Sequence, residues 1–173
     1  MRKRHIFIAD FWNSATASNG CLAAGRAGGY FHINWNGDVA HCVFLPYAPV
    51  NINEVFAAGG TLEDVWTHPF YAEIRKWQRD YGYREAHESC GGECGNWMAP
   101  CLIRDHHAEF MTIMGEHADV RPLDEDARAA LHDPAYHAGL EQFDREYEAL
   151  AGPRWRERYL RGRGVPPAPM RRR

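Results

Sequence analysis

Five cysteines constrain this chain more than any other feature of its sequence. They are Cys21, Cys42, Cys90, Cys94 and Cys101. An odd number suits a framework of paired disulfides poorly, and cytosolic thiols are kept reduced. Three interpretations remain: ligands of a metal or an iron–sulfur cluster, a catalytic thiol, or small apolar side chains in a core.

The rest of the sequence predicts a cytoplasmic protein without a membrane segment. The basic N-terminus is followed only by the apolar residues 6–9, which are too few for a signal peptide. No apolar run approaches the ~18 residues that a membrane helix requires. With 173 residues, of which 45% are hydrophobic, the chain has the size of one ordinary domain with a helical appendage.

Charge is distributed unevenly along the chain. Residues 152–173 hold eight arginines and one acid, Glu157, whereas the net charge of the whole chain is −3. Such a segment suits nucleic acid or an acidic partner. However, the Pro-Pro-Ala-Pro sequence at 166–169 cannot continue a helix, so we interpret residues 162–173 as a disordered, solvated tail. Nucleic acid is not an expected partner.

The most distinct local pattern is the dipeptide Asn36-Gly37 between two segments rich in β-formers, residues 30–35 and 38–44. Asn-Gly supplies the two positive-φ residues of a tight hairpin turn, so the pattern predicts a β-hairpin. A further short strand is predicted over residues 6–8, before the polar and aromatic segment 10–13.

Helical patterns follow the hairpin. They predict helices over residues 53–58, 61–66, 69–82, 101–116 and 154–160, and a long helix that begins at Asp133-Pro134. Residues 83–99 are predicted to form a loop. In the long helix an apolar stripe predicts packing against the rest of the protein: Tyr136, Leu140, Phe143, Tyr147 and Leu150. The fold class is therefore α+β, a small hairpin or sheet with short helices and a C-terminal helical segment.

Cys21 and the spacing Gly37-x4-Cys42 on the hairpin resemble the SPASM domain of radical SAM (S-adenosylmethionine) enzymes and its shortened form, the twitch domain. The resemblance continues over residues 20–101. It includes Asn51-Ile52-Asn53-Glu54, the segment 61–66, and Phe70-x3-Ile74-Arg75.

The resemblance implies an auxiliary iron–sulfur cluster. A complete SPASM domain has seven cysteines for two clusters, so five favour one [4Fe-4S] cluster. Cys21 and Cys42 are then the proximal ligands, and two of the remaining three are distal: Cys101 first, Cys94 next, and Cys90 as the spare. Their spacing, Cys-x3-Cys-x6-Cys, departs from the family's Cys-x2-Cys-x5-Cys.

The radical SAM core itself is not expected in this chain. Its motif is Cys-x3-Cys-x2-Cys, but Trp97 occupies the third position after Cys90 and Cys94. Only 20 residues precede Cys21, whereas a barrel requires about 200. S-adenosylmethionine would therefore be bound only by a missing core domain or subunit, and this chain alone is not expected to be catalytic.

The resemblance further implies a division into an auxiliary cluster domain over residues 1–116, a helical appendage over 117–161 and the tail. The cluster would transfer electrons or bind a substrate, which in such enzymes is a peptide, a protein or a small molecule.

Zinc is the main alternative ligand, because histidines occur near the cysteines: His41, His87, His106 and His107. Structural zinc sites usually have closely spaced pairs at both ends, and Cys21 and Cys42 do not form such a pair. Neighbouring helical histidines also point in different directions, so His106 and His107 are interpreted as surface or helix-contact residues. A non-catalytic zinc- or cluster-binding interaction module remains the alternative function.

Overall fold

The computed structural model describes residues 19–26, 29–84 and 94–160. The strand predicted over residues 6–8, the segment 10–13, Cys90 and the predicted tail lie outside these ranges. Within them, small antiparallel sheets and several helices form the α+β fold that the sequence predicts. No helix of the described part is long and apolar enough to cross a membrane.

Two small sheets lie near the start of the fold. The first is three-stranded, in the order β1 (His32–Ile33), β2 (Asp38–Ala40) and β4 (Val50–Asn51). The second pairs β3 (Tyr47–Ala48) with β5 (Arg121–Pro122). All pairs are antiparallel. The second sheet therefore ties the hairpin region to a segment more than 70 residues later in the chain.

The predicted hairpin is confirmed, but its predicted turn is wrong. Ile33 pairs with Val39, and the N–H of Gly37 donates to the carbonyl of Asn34 at 3.0 Å. Among the turn residues only Gly37 has a positive φ, of 90°. The Asn34 side chain accepts the N–H groups of Asn36 and Asp38, both at 2.9 Å. These bonds favour a four-residue turn closed by a left-handed glycine over the two-residue turn expected from Asn-Gly.

Three helices follow, each with a side-chain cap at its N-terminus. They are α1 (Ile52–Ala57), α2 (Leu62–Trp66) and α3 (Pro69–Asp80). Thr61 and Asp64 form the predicted capping box, and Pro69 is the first residue of its helix as predicted. Helix α1 begins one residue earlier than expected, because Asn51 accepts the N–H of Asn53 and acts as the cap.

The later helices differ more from prediction. The single helix expected over 101–116 is divided into α4 (Leu102–Asp105) and α5 (His107–Glu116), because His106 leaves the helical conformation with φ −147° and ψ 49°. A short helix α6 (Glu125–Ala130) follows. Helix α7 (Pro134–Trp155) begins after Asp133 as predicted. It continues into a π-helical turn (Arg156–Leu160) rather than ending before a separate last helix.

Helix α7 packs differently from what its apolar stripe predicts. Tyr136, Phe143 and Leu150 remain 42%, 41% and 72% exposed. The helix is instead anchored near its end by buried Ala151, Gly152 and Trp155. Along its length it makes polar contacts, such as the 2.8 Å hydrogen bond between His107 Nε2 and His137 Nδ1. Much of the stripe therefore lies at the surface and does not belong to the core.

Two apolar clusters fill the interior. The larger joins the hairpin region to α3 and α5 and contains fully buried Phe70, Tyr71 and Ile74. The smaller is aromatic and consists of Tyr83, Trp97 and Trp155, which come from the loops after α3 and from the end of α7. Partly buried side chains at the edge of both clusters include Cys21 and Trp77.

Candidate functional site

Three free thiols from distant parts of the sequence share one region. Cys21 lies at the start of the described chain, Cys42 follows β2, and Cys101 is the residue before α4. The pKa of Cys42 is raised to about 12, mainly by burial and also by the nearby thiols of Cys21 and Cys101. Cys21 likewise adds to the raised pKa of Cys101, which burial brings to about 12. The three thiols therefore lie within electrostatic range of one another.

Backbone hydrogen bonds hold Cys21 beside the hairpin. The N–H of Ala24 donates to the carbonyl of His41 at 2.9 Å, and the N–H of Tyr30 donates to the carbonyl of Leu22 at 3.1 Å. Gly20 has a φ of 115°, and an added Cβ there would lie 2.2 Å from the ring of Tyr83. A glycine is therefore required immediately before the first thiol.

Each of the three sulfurs also faces backbone N–H donors. Ala23 N–H donates to Cys21 Sγ at 3.4 Å. The N–H groups of Phe44 and Leu45 act on Cys42, and that of Arg104 acts on Cys101; each lowers the pKa of the thiol that it faces, against the larger opposing effect of burial. Such donors stabilise a thiolate more than a thiol. This arrangement suits sulfurs that carry negative charge when a metal is bound.

The loop before Cys101 is held by side chains rather than by a sheet. Tyr147 Oη donates to the carbonyl of Met98 at 2.9 Å, and Tyr83 Oη donates to that of Pro100 at 2.7 Å. The Cys101 N–H donates to Asp105 Oδ2 at 2.9 Å. These three side chains, two donors and one acceptor, come from the loop after α3, from α7 and from α4.

The other two cysteines differ from these three. Cys94 is disulfide-bonded in this structure and packs against the aromatic cluster. Cys90 lies outside the described residues. The structure thus brings Cys21, Cys42 and Cys101 together, and the roles predicted for Cys94 and Cys90 stay predictions.

Tyr30 and Tyr83 belong to the site, although the sequence analysis did not identify them. Burial raises the pKa of Tyr30 to about 12, and Cys42, Cys21 and Cys101 all add to that rise. Burial also raises the pKa of Tyr83, with Cys21 as the next cause. Neither tyrosine stands in a cysteine motif, so only the fold places them beside the thiols.

The histidines do not complete a compact metal site. His106 Nε2 bonds to the carbonyl of Ala99 at 2.9 Å, and His107 bonds to Ile103 and His137. His41 is 3% exposed, and burial lowers its pKa to about 3. Within the described ranges, no three His, Cys, Asp or Glu side chains are close enough to hold a single metal ion. His87 lies outside those ranges.

A cleft of about 620 Å³ opens beside Cys94. It is lined by Asp144, Arg145 and Glu148 of α7, and by Tyr81, Asn96 and His106 from other segments. Glu148 accepts a 2.7 Å hydrogen bond from Asn96 Nδ2, which joins α7 to one of these segments. Acidic, basic and aromatic side chains therefore line an opening next to Cys94.

Comparison with known proteins gives one match. Residues 21–95 match the family model of the SPASM domain, an iron-sulfur cluster-binding domain. The match begins at Cys21 and includes Cys42, Cys90 and Cys94, whereas Cys101 and the helices α4 to α7 lie beyond its end. No curated protein and no solved structure matches the chain significantly. The resemblance seen in the sequence is confirmed over residues 21–95, which are similar to an iron–sulfur cluster-binding domain of the SPASM type.

Proposed function

We propose that this chain, through its SPASM-like segment 21–95 and Cys101, holds one [4Fe-4S] cluster as the auxiliary cluster of a radical SAM enzyme. Cys21, Cys42 and Cys101 are three of its ligands, and Cys94 or Cys90 is the fourth, Cys94 after reduction of its disulfide. The observation that carries the proposal is the convergence of three free thiols, one buried and two partly buried, each facing backbone N–H donors.

The donor set favours a cluster over zinc. Four thiolates around zinc lie about 3.8 Å from one another, given a Zn–S distance of about 2.3 Å. A compact group of that kind is not found among the described side chains. A cubane of iron and sulfide is several atoms wide, so its thiolates lie farther apart and approach from several directions. Thiols carried by three separate elements of the fold suit such an arrangement.

Burial of the thiols gives the apo site a specific protonation state. Because the pKa values of Cys42 and Cys101 are raised to about 12, both are protonated at neutral pH before iron binds. Iron must therefore displace these protons, and the backbone N–H groups then stabilise the resulting thiolates. The same residues exclude water, because Cys42 is only 7% exposed.

We assign electron transfer or substrate binding to the cluster, next to a radical SAM core domain or subunit. An iron–sulfur cluster supplies one-electron chemistry and, where an iron lacks a protein ligand, a place for substrate to bind. Trp97 stands where the third cysteine of a radical SAM motif would be, and it is a 6% exposed core residue whose Nε1–H donates to the Gly82 carbonyl. The cleft beside Cys94 provides an opening for a substrate or partner.

Anaerobic reconstitution of the full chain tests the proposal. We expect a brown protein with about four irons and four sulfides per chain. Cys21→Ala, Cys42→Ala and Cys101→Ala should each lose most of the iron. Of Cys90→Ala and Cys94→Ala, one should lose iron, and the other serves as the matched control.

A colourless protein that holds one zinc and no sulfide would overturn the cluster and favour a zinc-binding interaction module. Full iron content in Cys42→Ala would overturn the ligand assignment while leaving cluster binding intact.

A further inference from the structure

We propose that Arg104, Asp105, Phe143 and Tyr147 form a clamp that fixes Cys101 in its ligand position. They are positioning residues, because none of them would contact the cluster directly. The inference rests on the proposed function, and it extends the site beyond the matched domain, which ends at residue 95.

The centre of the clamp is the carboxylate of Asp105. Its side chain is fully buried, with 0% exposure. Oδ2 accepts the backbone N–H of Cys101 at 2.9 Å and Arg104 NH2 at 2.7 Å, while Oδ1 accepts Arg104 Nε. A bidentate pair of this kind fixes the geometry as well as the charge. The carboxylate therefore connects the guanidinium directly to the backbone of the cysteine.

Helix α7 holds the other side of this ion pair. The guanidinium of Arg104 lies 5.8 Å from the ring centroid of Phe143 and 5.5 Å from that of Tyr147. The two rings stack in parallel, with an interplanar angle of 10°. Cation–π contacts to a pair of rings restrict the guanidinium in orientation as well as in position.

The segment 98–101 has little freedom to move. Each of its four carbonyl groups accepts a hydrogen bond: from Tyr147 Oη, His106 Nε2, Tyr83 Oη and the N–H of Asp105 in turn. Three of these donors are side chains, and Tyr147 also belongs to the ring pair. Helix α7 thus restrains both the backbone before Cys101 and the ion pair after it.

A helix cap alone would explain the bond from Asp105 to the Cys101 N–H. It would not explain why the fully buried carboxylate is paired with an arginine that packs against two rings of α7. The Asp105 carboxylate accepts the Cys101 N–H at 2.9 Å, so its charge lies close to the proposed ligand. A negative charge near a cluster lowers its reduction potential, so the clamp should also set that potential.

The first test uses the apo full chain and the rate at which Cys101 is alkylated, measured by mass spectrometry. Asp105→Asn and Arg104→Gln should increase this rate about tenfold or more, because each removes a hydrogen bond involving a charged group. Tyr147→Phe keeps the ring and loses only the bond to Met98, so its increase should be smaller. Matched controls are Glu109→Gln, exposed on α5, and Tyr136→Phe, on α7; both should leave the rate unchanged.

The second test uses the reconstituted full chain. Asp105→Asn removes one negative charge and leaves the guanidinium in place, so the midpoint potential should shift to a more positive value and the paramagnetic resonance spectrum of the reduced cluster should change. Glu109→Gln removes a charge at the surface and should shift neither. Iron content should fall in Arg104→Gln and Asp105→Asn.

The outcomes separate the two proposals. A wild-type chain that binds no iron refutes the proposed function. In that case the alkylation rates of Cys101 in the apo variants alone test whether the clamp fixes this residue. If the wild type binds iron but the clamp variants match Glu109→Gln in alkylation, iron content and potential, the clamp is wrong and the cluster stands.

Discussion

The proximal and distal halves of the site are held by different kinds of bond. On the proximal side, Cys21 and Cys42 are positioned by backbone hydrogen bonds between the hairpin and its neighbouring segment, over a large apolar core. On the distal side, Cys101 is positioned by side chains that reach its loop from three directions. Backbone pairing tolerates many sequences, whereas a side-chain clamp depends on each of its members. The proximal half should therefore depend mainly on core packing, and the distal half on single polar atoms.

The largest expected effect on stability comes from a substitution in the apolar core beneath the proximal half. Phe70→Ala removes a fully buried ring and should reduce the free energy of unfolding of the apo protein by about 3–5 kcal/mol, measured by urea denaturation. Phe56 is 52% exposed on α1, so Phe56→Ala should change it by less than about 0.5 kcal/mol. Equal losses in the two variants would contradict the assignment of the core.

A second experiment tests the contact between the two halves at Gly20. Gly20→Ala should destabilise the protein by about 2–4 kcal/mol, because it combines an unfavourable positive φ with a clash against Tyr83. Gly59 also has a positive φ, but an added Cβ there would meet nothing within 4 Å. Gly59→Ala should therefore cost only about 1–2 kcal/mol. The difference in urea denaturation isolates the close approach beside Cys21.

Removing one tyrosine hydroxyl from each half tests whether the two halves affect cluster loading differently. Tyr83→Phe leaves the carbonyl of Pro100 without its 2.7 Å donor, and Tyr47→Phe leaves that of Ala127 without its 2.9 Å donor. Each should reduce the free energy of unfolding by about 1–2 kcal/mol. Only Tyr83→Phe should also reduce iron content after reconstitution, since Tyr47 lies away from the distal loop. A loss of iron in both variants would show that general stability, and not the loop, controls cluster loading.

The smallest expected effect is the pH dependence of stability that arises from the ion pair between Asp38 on β2 and Arg121 on β5. Burial raises the pKa of Asp38, but hydrogen bonds from Arg121, Asn51 and Asn34 outweigh it, so the pKa is lowered overall. The carboxylate therefore stabilises the fold above the pKa of an unfolded aspartate, and this contribution is lost as the pH falls below about 4. Because Arg121 is 45% exposed, the loss should be about 1 kcal/mol or less.

Urea denaturation of the apo protein at pH 5 and pH 3 measures this difference, which should decrease in Arg121→Gln. Arg128→Gln is the control, because its partner Glu125 is 85% exposed. An unchanged pH dependence in Arg121→Gln would show that the ion pair between β2 and β5 contributes nothing.

The sequence predicts the proximal half better than the distal half, because the proximal half is built from local patterns and the distal half from contacts between distant residues. The hairpin, the capping box at Thr61 and the helix start at Pro69 depend on local patterns, and all are confirmed. The turn at Asn34 was mispredicted because its side chain captures two N–H groups and selects another turn.

Around Cys101 the contacts made by α7 join residues 40 or more positions apart, such as Arg104 with Tyr147 and Met98 with Tyr147. No local pattern encodes them. The apolar stripe on α7 predicts core packing, but Phe143 packs against the guanidinium of Arg104 instead. Helical spacing of apolar residues therefore did not identify what they contact.

The fully bonded carbonyls of residues 98–101 also limit how the length of this chain can change. An insertion or deletion between Met98 and Asp105 would shift every following carbonyl away from its donor and rotate the sulfur out of place. The turn at Gly59 has open space around it and can absorb such changes. Among chains that share this arrangement, we therefore expect one fixed interval before the last thiol and variable lengths at the surface turn.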